Sequence, residues 1–559
     1  MSTQRIETDV LVVGGGIAGL MAAIRAREFG VKVVVADKGN TLTSGAGGAG
    51  NDHFVCYIPE IHGPDIQVFI RSLMLGQAGP LCQMLGPSLT ETWVSRTFEM
   101  VKRWDEWGIP MRHNGEWKYS GHSFPGRPQV WLKYTGKYQK RVLTRKTLDM
   151  GAEIMNRVMV YELLGDEKGV KGALGVDTRE DRFVEFQAKS VFLGTGWLSR
   201  LYPSISPAVM NNHARPINLT GDGRAMVYRL GGEIVNVGFL GSHVGLRNFA
   251  RSGQGSWLGV YRGPDGKPLG HYVSKPNMDY GDILPEVDKK IFARLLESGR
   301  GPVFMDCTGI SDEHLRFMEQ GLSNEGNEVV LTHFREEGVD IRKNPIEFMT
   351  YPNTGGAGNI WCDDRTASSV KGLFAAGEEV MHGISASAFF GWTAGEQAAE
   401  HARKSSSADL GGCTGRIEEK KHSVDAMLKR RNGYDWYDAN VALQQVMAAY
   451  TTGVRSQPML EAGYRHLGRL RAKVDSELVA RDRWELTRCL EVVNLYDIAE
   501  MVFLAAMDRK ESRGDNLRAD YPYTDPLLNG KMQVVKKVNG RPTVTWRVST
   551  QGLQRQLGL

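Results

Sequence analysis

The sequence has no long apolar run and no strong excess of charge of one sign. No stretch approaches the roughly 18 apolar residues that span a membrane, and the first ten residues, MSTQRIETDV, lack the pattern of a secretory signal. The 69 Lys and Arg residues against 64 Asp and Glu residues give +5 over 559 residues, so no broad surface for nucleic acid is expected. We therefore expect a cytoplasmic protein with no membrane span and no nucleic-acid partner, which contacts the inner membrane face only through partner proteins.

Metal-binding patterns are missing as well. The six cysteines are scattered, no two form a C-x-x-C pair, and none has the spacing of a zinc site or an iron–sulfur cluster. Isolated cysteines in an intracellular chain are most often reduced core residues. We expect this chain to hold no metal ion and no cluster of its own.

Glycine, in contrast, is abundant, with 66 of 559 residues, about 12% against a background of roughly 7%. No Gly-X-Y period is present, so the excess indicates tight turns and close approach of the backbone to a ligand. The length and the 41% of hydrophobic residues are typical of a globular protein with two to four domains.

The strongest motif is a glycine-rich turn near the N-terminus. Residues 9–13 are a short β-branched run typical of a buried parallel strand, and residues 14–19 follow as G-x-G-x-x-G. A helical pattern continues to Phe29, and a second strand at 31–35 leads to Asp37. This complete strand–turn–helix–strand unit predicts dinucleotide binding.

Each part of the unit has a physical role. Gly14 makes the tight turn, Gly16 lets the backbone approach a pyrophosphate at the helix N-terminus, and Gly19 lets helix and strand pack closely. Asp37 is placed to accept a hydrogen bond from a ribose hydroxyl.

Later segments fit the same kind of ligand. Residues 41–50 are mostly small and form a loop whose backbone groups can hydrogen-bond the edge of a flat ring system. Two further apolar strands run into residues 194–196 and 377–378, and residues 220–223 precede a helical run. Glu378, just after a buried strand, is poised to accept from a ribityl chain.

These motifs together resemble the fumarate reductase/succinate dehydrogenase flavoprotein family. They lie in order from residue 9 to about 525, so the resemblance covers nearly the whole chain, and within the family it looks nearest to the alpha subunit of adenylylsulfate reductase. The similar segments are residues 14–19, 44–48, 193–196, 220–223, 301–306, 371–378 and 509–514, with Arg518, Asp520, Tyr521 and Pro522.

The resemblance and the local patterns imply an α/β fold with a split Rossmann-like FAD-binding domain, an inserted α+β capping domain and a C-terminal helical domain. The expected bounds are 1–240 and 345–405 for the FAD-binding domain, 241–344 for the capping domain, 415–515 for the helical domain, and 516–559 for a C-terminal tail with a short hairpin.

The cofactor implied by the resemblance is FAD. Covalent members carry the flavin on a histidine in the loop after the second strand, and residues 41–48 contain none, so we expect noncovalent FAD. The expected FAD-binding residues are Gly14, Gly16, Ile17, Ala18, Gly19, Asp37, Lys38, Ser44, Gly45, Ala46, Gly47, Gly48, Val160, Thr195, Gly196, Asp222, Gly377, Glu378, Ser387, Gly391 and Trp392.

The substrate region departs from the fumarate reductase pattern. The family's His-Tyr-Thr-Met-Gly-Gly reads Tyr-Pro-Asn-Thr-Gly-Gly at 351–356, and its His-Gly-Ala-Asn-Arg reads His-Gly-Ile-Ser-Ala at 382–386. A dicarboxylate needs paired cations in fixed geometry. The loss of a histidine and an arginine therefore argues against fumarate or succinate.

Residues 239–251 fall where adenylylsulfate reductase places a histidine and arginines over the flavin, but Asn353 replaces its other catalytic histidine. A histidine or arginine near the flavin can donate a proton or stabilise an anion. The catalytic candidates are His243, Arg247, Arg251, Tyr351, Asn353 and His382.

The leading hypothesis is an FAD-dependent oxidoreductase subunit that exchanges two electrons with a small molecule and passes them singly to a ferredoxin-like iron–sulfur subunit, which is the partner that the resemblance implies. One alternative is a stand-alone FAD ene-reductase or dehydrogenase reoxidised by a diffusible carrier. The other is a non-catalytic flavin electron relay. Asn353, in place of a catalytic histidine, argues against adenylylsulfate reductase-like activity.

Overall fold

The chain starts with the strand–turn–helix–strand unit predicted for residues 9–37. The structure is a computed structural model that describes residues 1–75, 87–121, 123, 125–203, 216–239, 241–247, 256–271, 273–281, 291, 294–295, 298–355, 358–381, 383–406 and 408–548. The strands of these residues are β1 (Ser2–Val13), β2 (Val33–Asp37), β3 (His53–Val55), β4 (Trp131–Lys133), β5 (Glu153–Asn156), β6 (Val158–Asp166), β7 (Gly169–Asp177), β8 (Arg182–Leu193), β9 (Ile234–Val235), β10 (Gly241–Leu246), β11 (Val260–Arg262), β12 (Val303–Asp306), β13 (Ile346–Gly355), β14 (Asn359–Ile360), β15 (Leu373–Ala375), β16 (Val454–Arg455), β17 (Leu517–Arg518), β18 (Lys531–Val538) and β19 (Arg541–Val548).

The α-helices of the described residues separate into those around the first sheet, a pair before β13 and a C-terminal group. They are α1 (Ile17–Glu28), α2 (Pro59–His62), α3 (Ile66–Leu75), α4 (Pro87–Glu106), α5 (Gln139–Asp149), α6 (Asp222–Arg229), α7 (Asp312–Asn324), α8 (Glu328–Glu336), α9 (Ile384–Lys404), α10 (Thr414–Lys429), α11 (Trp436–Thr451), α12 (Gln457–Glu477) and α13 (Arg483–Asp508).

A mixed sheet in the order β5-β2-β1-β8-β7-β6 forms the centre of the molecule. Strands β5, β2, β1 and β8 are parallel, whereas β7 and β6 return antiparallel. The first half of β8 pairs with β7, and its end pairs with β15, which arrives from about 180 residues later in the chain. This pairing brings the two parts of the predicted split domain into one sheet.

Three strands of the second sheet lie within the predicted capping domain, residues 241–344, and the fourth, β13, lies just after it, within the segment 345–405 predicted for the FAD-binding domain. Strands β10, β13, β12 and β11 pair antiparallel, and α7 and α8 connect β12 to β13. Buried apolar residues from these strands and helices, including Trp257 and Phe348, form a cluster separate from the core of the central sheet.

The C-terminal helices pack on one face of the central sheet. Side chains of α10–α13 share one continuous apolar cluster with β6, β7 and β8, while α1, α4 and α9 cover the opposite face. The helical segment therefore stabilises the sheet directly. The tail hairpin β18–β19 turns at Asn539-Gly540, both with positive φ, and extends β9 into a third sheet.

No helix among the described residues combines the length and the apolarity needed to cross a bilayer.

Candidate functional site

The glycine turn between β1 and α1 forms one wall of a deep cavity. Gly14 has φ +93°, and a Cβ there would overlap the carbonyl oxygen of Gly194. A Cβ on Gly19 would overlap the Gly14 carbonyl, whereas Gly16 is open on its ligand side. The first turn of α1 has no capping side chain and no acidic residue, so its N–H groups favour an anion such as a pyrophosphate.

Asp37 ties this turn to the small-residue loop. Its Oδ2 accepts hydrogen bonds from Gly15 N at 2.7 Å and from Ser44 Oγ at 3.1 Å, and its Oδ1 accepts from Gly39 N at 2.7 Å. Each carboxylate oxygen has two lone pairs, so Asp37 retains capacity to accept from a ribose hydroxyl.

A buried lysine lies beneath the same turn. Lys140 on α5 donates to the carbonyl oxygen of Gly15. Burial lowers the pKa of Lys140 to about 8, although the nearby Asp37 carboxylate raises it. In the sequence, Lys140 stands out only as one member of a basic stretch.

The cavity holds about 1710 Å³ of empty space, including its open mouth. Its walls come from the ends of β1, β2 and β8, the 44–53 loop, β6, the 377–387 segment and the end of α7. The expected FAD-binding residues that line it are Gly14, Gly16, Ile17, Ala18, Asp37, Lys38, Ser44, Gly45, Ala46, Gly47, Val160, Thr195, Gly196, Asp222, Gly377, Glu378 and Ser387.

Four of the expected FAD-binding residues lie behind the wall. Gly19 packs α1 on β1, and Gly48 packs against the backbone of Thr43. A Cβ on Gly391 would overlap the backbone of Ala18, so this glycine brings α9 close to α1. Trp392 is buried between the guanidinium groups of Arg25 and Arg103, at 4.9 and 4.4 Å from the ring centroid. Trp392 therefore packs between helices and does not belong to the cavity lining.

A buried ionic network supports the cavity floor. Lys38 Nζ lies 2.7 Å from Asp222 Oδ2 and 2.9 Å from Glu491 Oε1, and Asn494 Nδ2 donates to Asp222 Oδ1 at 2.8 Å. Burial raises the pKa of Asp222, but the Lys38 ammonium together with hydrogen bonds from Asn494 and Thr220 outweighs it and holds the pKa below its ordinary value. Glu491 and Asn494 belong to α13, so the helical segment reaches the site, which the sequence did not predict.

Two charged side chains fix the loops after β8 and β15. Glu379 accepts from Thr195 N at 2.9 Å and from Thr195 Oγ1 at 2.7 Å, and burial raises its pKa. Arg224 donates to the carbonyl oxygens of Gly196 and Glu378. These bonds hold two cavity edges in a fixed relation.

The catalytic candidates are only partly brought together. In the β10–β13 ladder, His243 lies opposite Tyr351, and Asn353 follows on β13, while the side chains of these three lie outside the described part of the chain. Arg247 is 53% exposed and pairs with Glu347 at 2.6 Å, away from the cavity lining. Arg251 and His382 lie outside the described residues.

A polar cluster that the sequence did not predict borders the cavity. His53 and Glu325 line it, and His53 Nδ1 lies 2.6 Å from Asp52 Oδ1 and 3.4 Å from Glu325 Oε1. The available signal was an Asp-His pair directly after the small-residue loop. Glu325 is more than 270 residues away in the sequence, so the cluster itself was not readable there.

Comparison with known proteins assigns the family. The FAD binding domain model matches residues 9–388, and the model described as fumarate reductase flavoprotein C-term matches residues 440–553. The chain therefore belongs to the FAD-binding flavoprotein family of fumarate reductases and succinate dehydrogenases. It is an FAD-dependent oxidoreductase, and the predictions of family, fold class and cofactor are confirmed.

Similarity extends over the whole chain. It is 26% identical to a subunit of the fumarate reductase (CoM/CoB) of Methanothermobacter marburgensis, over 95% of this chain and 99% of that protein. L-aspartate oxidase of Yersinia pestis is also 26% identical, over 92% and 96%. Two solved structures share the fold: adenylylsulfate reductase from Archaeoglobus fulgidus (TM-score 0.82, 19% identity, 98% and 96% coverage) and quinol fumarate reductase from E. coli (TM-score 0.81, 20% identity, 98% and 97% coverage).

The residues present fit FAD. The glycine turn excludes a Cβ at 14 and leaves Gly16 open, the Val158–Val160 segment supplies an apolar wall, and Asp37 and Glu378 supply acceptors. The 44–47 loop adds backbone groups on the far side of the turn.

Proposed function

We propose that this chain is the flavoprotein subunit of an electron-transfer reductase or dehydrogenase that works with an iron–sulfur partner on a small molecule other than fumarate, with FAD held noncovalently. The observation that carries the proposal is the continuous cavity that joins the glycine turn, the histidine-free 44–47 loop and Glu378.

FAD, when bound, exchanges an electron pair with a substrate and single electrons with a carrier. Gly14 and Gly16 would hold its pyrophosphate, and Asp37 would accept a hydrogen bond from its ribose. The backbone of the 44–47 loop would orient the ring, while Glu379 and Arg224 hold the loops after β8 and β15 in place. Glu325, which follows α7, lines the cavity as well.

The substrate proposal rests on the departures at 351–356 and 382–386. The 351–356 segment lacks the histidine, and the 382–386 segment lacks the arginine, that the family resemblance assigns to the binding of a dicarboxylate. Two relatives are nevertheless named fumarate reductases, so fumarate is the first compound to test.

The partner proposal rests on the family resemblance, which implies a ferredoxin-like iron–sulfur subunit. It is supported by the scattered cysteines, no two of which form a C-x-x-C pair and none of which has the spacing of a cluster site. Single electrons would then pass between FAD and the partner subunit.

The test is anaerobic purification of the tagged full chain from its native host, followed by metal analysis and turnover assays. We expect a small iron–sulfur protein to copurify and reduced methyl viologen to support no reduction of fumarate. The assay panel also contains succinate, L-aspartate, adenylylsulfate, enones and thiol-linked enoyl compounds, and we expect turnover of one of the last two classes. Rapid fumarate reduction, or purification of an iron-free flavoprotein fully active with a diffusible carrier, would contradict the proposal.

A further inference from the structure

Four side chains from distant parts of the chain meet at one side of the cavity. Asp52 and His53 precede and begin β3, Lys133 ends β4, and Glu325 follows α7. Lys133 Nζ lies 2.8 Å from Asp52 Oδ2, and Ser256 Oγ donates to the same oxygen at 3.1 Å. Asp52, Lys133 and Glu325 are buried, whereas the His53 side chain is 20% exposed.

The cluster is held by close backbone contact between the loop and the segment after α7. A Cβ on Gly50 would overlap the carbonyl oxygen of Asn324, and a Cβ on Gly326 would lie 2.6 Å from the carbonyl oxygen of Ala49. Two glycines are thus required for Glu325 to reach His53. The geometry of the cluster is fixed by packing on both sides.

His53 connects the buried pair to the cavity. Asp52 and Lys133 do not belong to the cavity lining, but His53 does, together with its neighbour Trp131, whose ring meets the imidazole edge-on at 4.9 Å. Asp37 and the N-terminus of α1 would bind the ribose and the pyrophosphate of FAD. The remaining wall, from the 44–47 loop to His53, would therefore border the flavin ring.

Two carboxylates lie beside this imidazole. Among the described residues, Asp52 and Glu325 approach His53 directly, Lys133 pairs with the same Asp52, and the buried Tyr134 phenol lies near both carboxylates. Burial raises the pKa of Asp52, but Lys133 and His53 outweigh it and keep Asp52 ionised. Both carboxylates therefore stabilise the imidazolium that forms when His53 takes up a proton.

One potential ligand atom from each of Asp52, His53 and Glu325 lies within 4.8 Å of the other two, a spacing that also suits a metal ion. The Lys133 ammonium already occupies Asp52 Oδ2. A divalent cation there would face an adjacent positive charge, so the cluster suits proton exchange better.

We propose that His53 is the proton-exchanging side chain of this cavity: it takes up a proton as electrons enter and gives that proton to the substrate, with Asp52 as the positioning residue. The inference rests on the proposed function for its substrate step. In reduction, the substrate gains two electrons and two protons. The electrons would come from an iron–sulfur protein or reduced viologen by way of FAD, one proton would come from solvent and reach the substrate with the electron pair as a hydride equivalent, and the second proton comes from His53. The Nε2–H bond of His53 breaks, a substrate–H bond forms, and the neutral imidazole is reprotonated from solvent; oxidation runs the same transfers in reverse. Nδ1 stays bonded to Asp52, which fixes Nε2 as the exchanging atom.

The test compares the FAD-loaded wild type with His53→Gln and Asp52→Asn. A matched control is His422→Gln, at an exposed position of α10. The first measurement is the midpoint potential of bound FAD from pH 5 to 9, whose slope counts the protons taken up per electron pair. The second is turnover, at each pH, of the substrate found with reduced methyl viologen.

We expect His53→Gln to retain FAD, to take up fewer protons per electron pair and to lose at least about 100-fold in kcat. Asp52→Asn moves the pH profile to lower pH, because the carboxylate that stabilises the imidazolium is gone. His422→Gln matches the wild type. Added imidazole restores turnover to His53→Ala, which also serves if His53→Gln fails to bind FAD.

The experiment separates a failure of the role of His53 from a failure of the proposed function. A wild-type slope and wild-type turnover in His53→Gln would overturn the role of His53 and leave the proposed function intact. A slope that changes as expected, with only fumarate reduced, would support proton uptake by His53 and overturn the proposed substrate class. A metal ion bound stoichiometrically in the wild type and lost in His53→Gln would overturn the proton-exchange assignment.

Discussion

Gly14 is the position in the site that tolerates a side chain least. Its positive φ and the nearby Gly194 carbonyl both exclude a Cβ, and Gly16 beside it is open where we expect the pyrophosphate of FAD to bind. Gly30 offers a matched comparison because it has φ +75° but open space where a Cβ would be added.

Gly14→Ala is expected to abolish FAD binding, because the added methyl forces the turn away from β8. Gly30→Ala is expected to cost about 1 kcal/mol of stability and to retain FAD. The FAD-to-protein ratio from absorbance after purification checks both. Equal FAD content in the two variants would contradict the role assigned to Gly14.

At the scale of elements, α13 supports the cavity through charges rather than through apolar packing alone. Glu491 and Asn494 on this helix contact Lys38 and Asp222, and Arg200 adds a 2.8 Å ion pair to Glu491. The helical segment therefore has a direct effect on the cofactor site.

Lys38→Met leaves Asp222 buried without a cation, while Glu491 keeps its pairs with Arg200 and Arg488, so we expect a loss of about 3–5 kcal/mol in the free energy of unfolding and weaker FAD binding. Lys189→Met removes the cation of a more exposed pair with Asp9, at 2.7 Å, and is expected to cost less than about 1 kcal/mol. Denaturant unfolding and FAD titration measure both effects. Similar losses in the two variants would show that burial of the Lys38 network is not the cause.

The elements around the cofactor were predictable where the signal is local. The β1–α1–β2 unit follows from a strand, a glycine turn and an acidic residue within 37 residues, and its register in the sheet agrees with that pattern. The cluster of Asp52 with Lys133 and Glu325, and the reach of Glu491 to Lys38, depend on contacts across 81 to 453 positions, which periodicity cannot reveal. Trp392 shows the same limit: its helix position was readable, but the arginines that cover it were not.

At the scale of the whole molecule, buried ion pairs join the C-terminal helices to the central sheet. Arg229 lies between Glu162 on β6, at 2.8 Å, and Asp497 on α13, at 2.6 Å, while Arg471 on α12 also pairs with Asp497 at 2.8 Å. Burial raises the pKa values of both carboxyls, but the arginines outweigh it and hold them below their ordinary values.

A lowered pKa in the folded state means that the unfolded chain binds more protons in acid. The stability from these pairs is therefore complete above the ordinary carboxyl pKa values, near 4, and is lost as the pH falls through the lower folded values. We expect the melting temperature to fall steeply below about pH 4. Asp497→Asn is expected to lower it at pH 7 and to flatten the acid limb, whereas Asp340→Asn, in a half-exposed pair with Arg342 that solvent screens, is expected to change the profile much less. Parallel acid limbs in wild type and Asp497→Asn would contradict this account.

The most direct test of the account is the visible spectrum of the anaerobically purified chain before and after acid precipitation, in wild type and Gly14→Ala. We expect flavin bands in the wild type that pass entirely into the supernatant as FAD, and we expect no flavin in Gly14→Ala. Colour that stays in the pellet would contradict noncovalent binding, and a wild type that cannot be loaded with FAD would contradict the site itself.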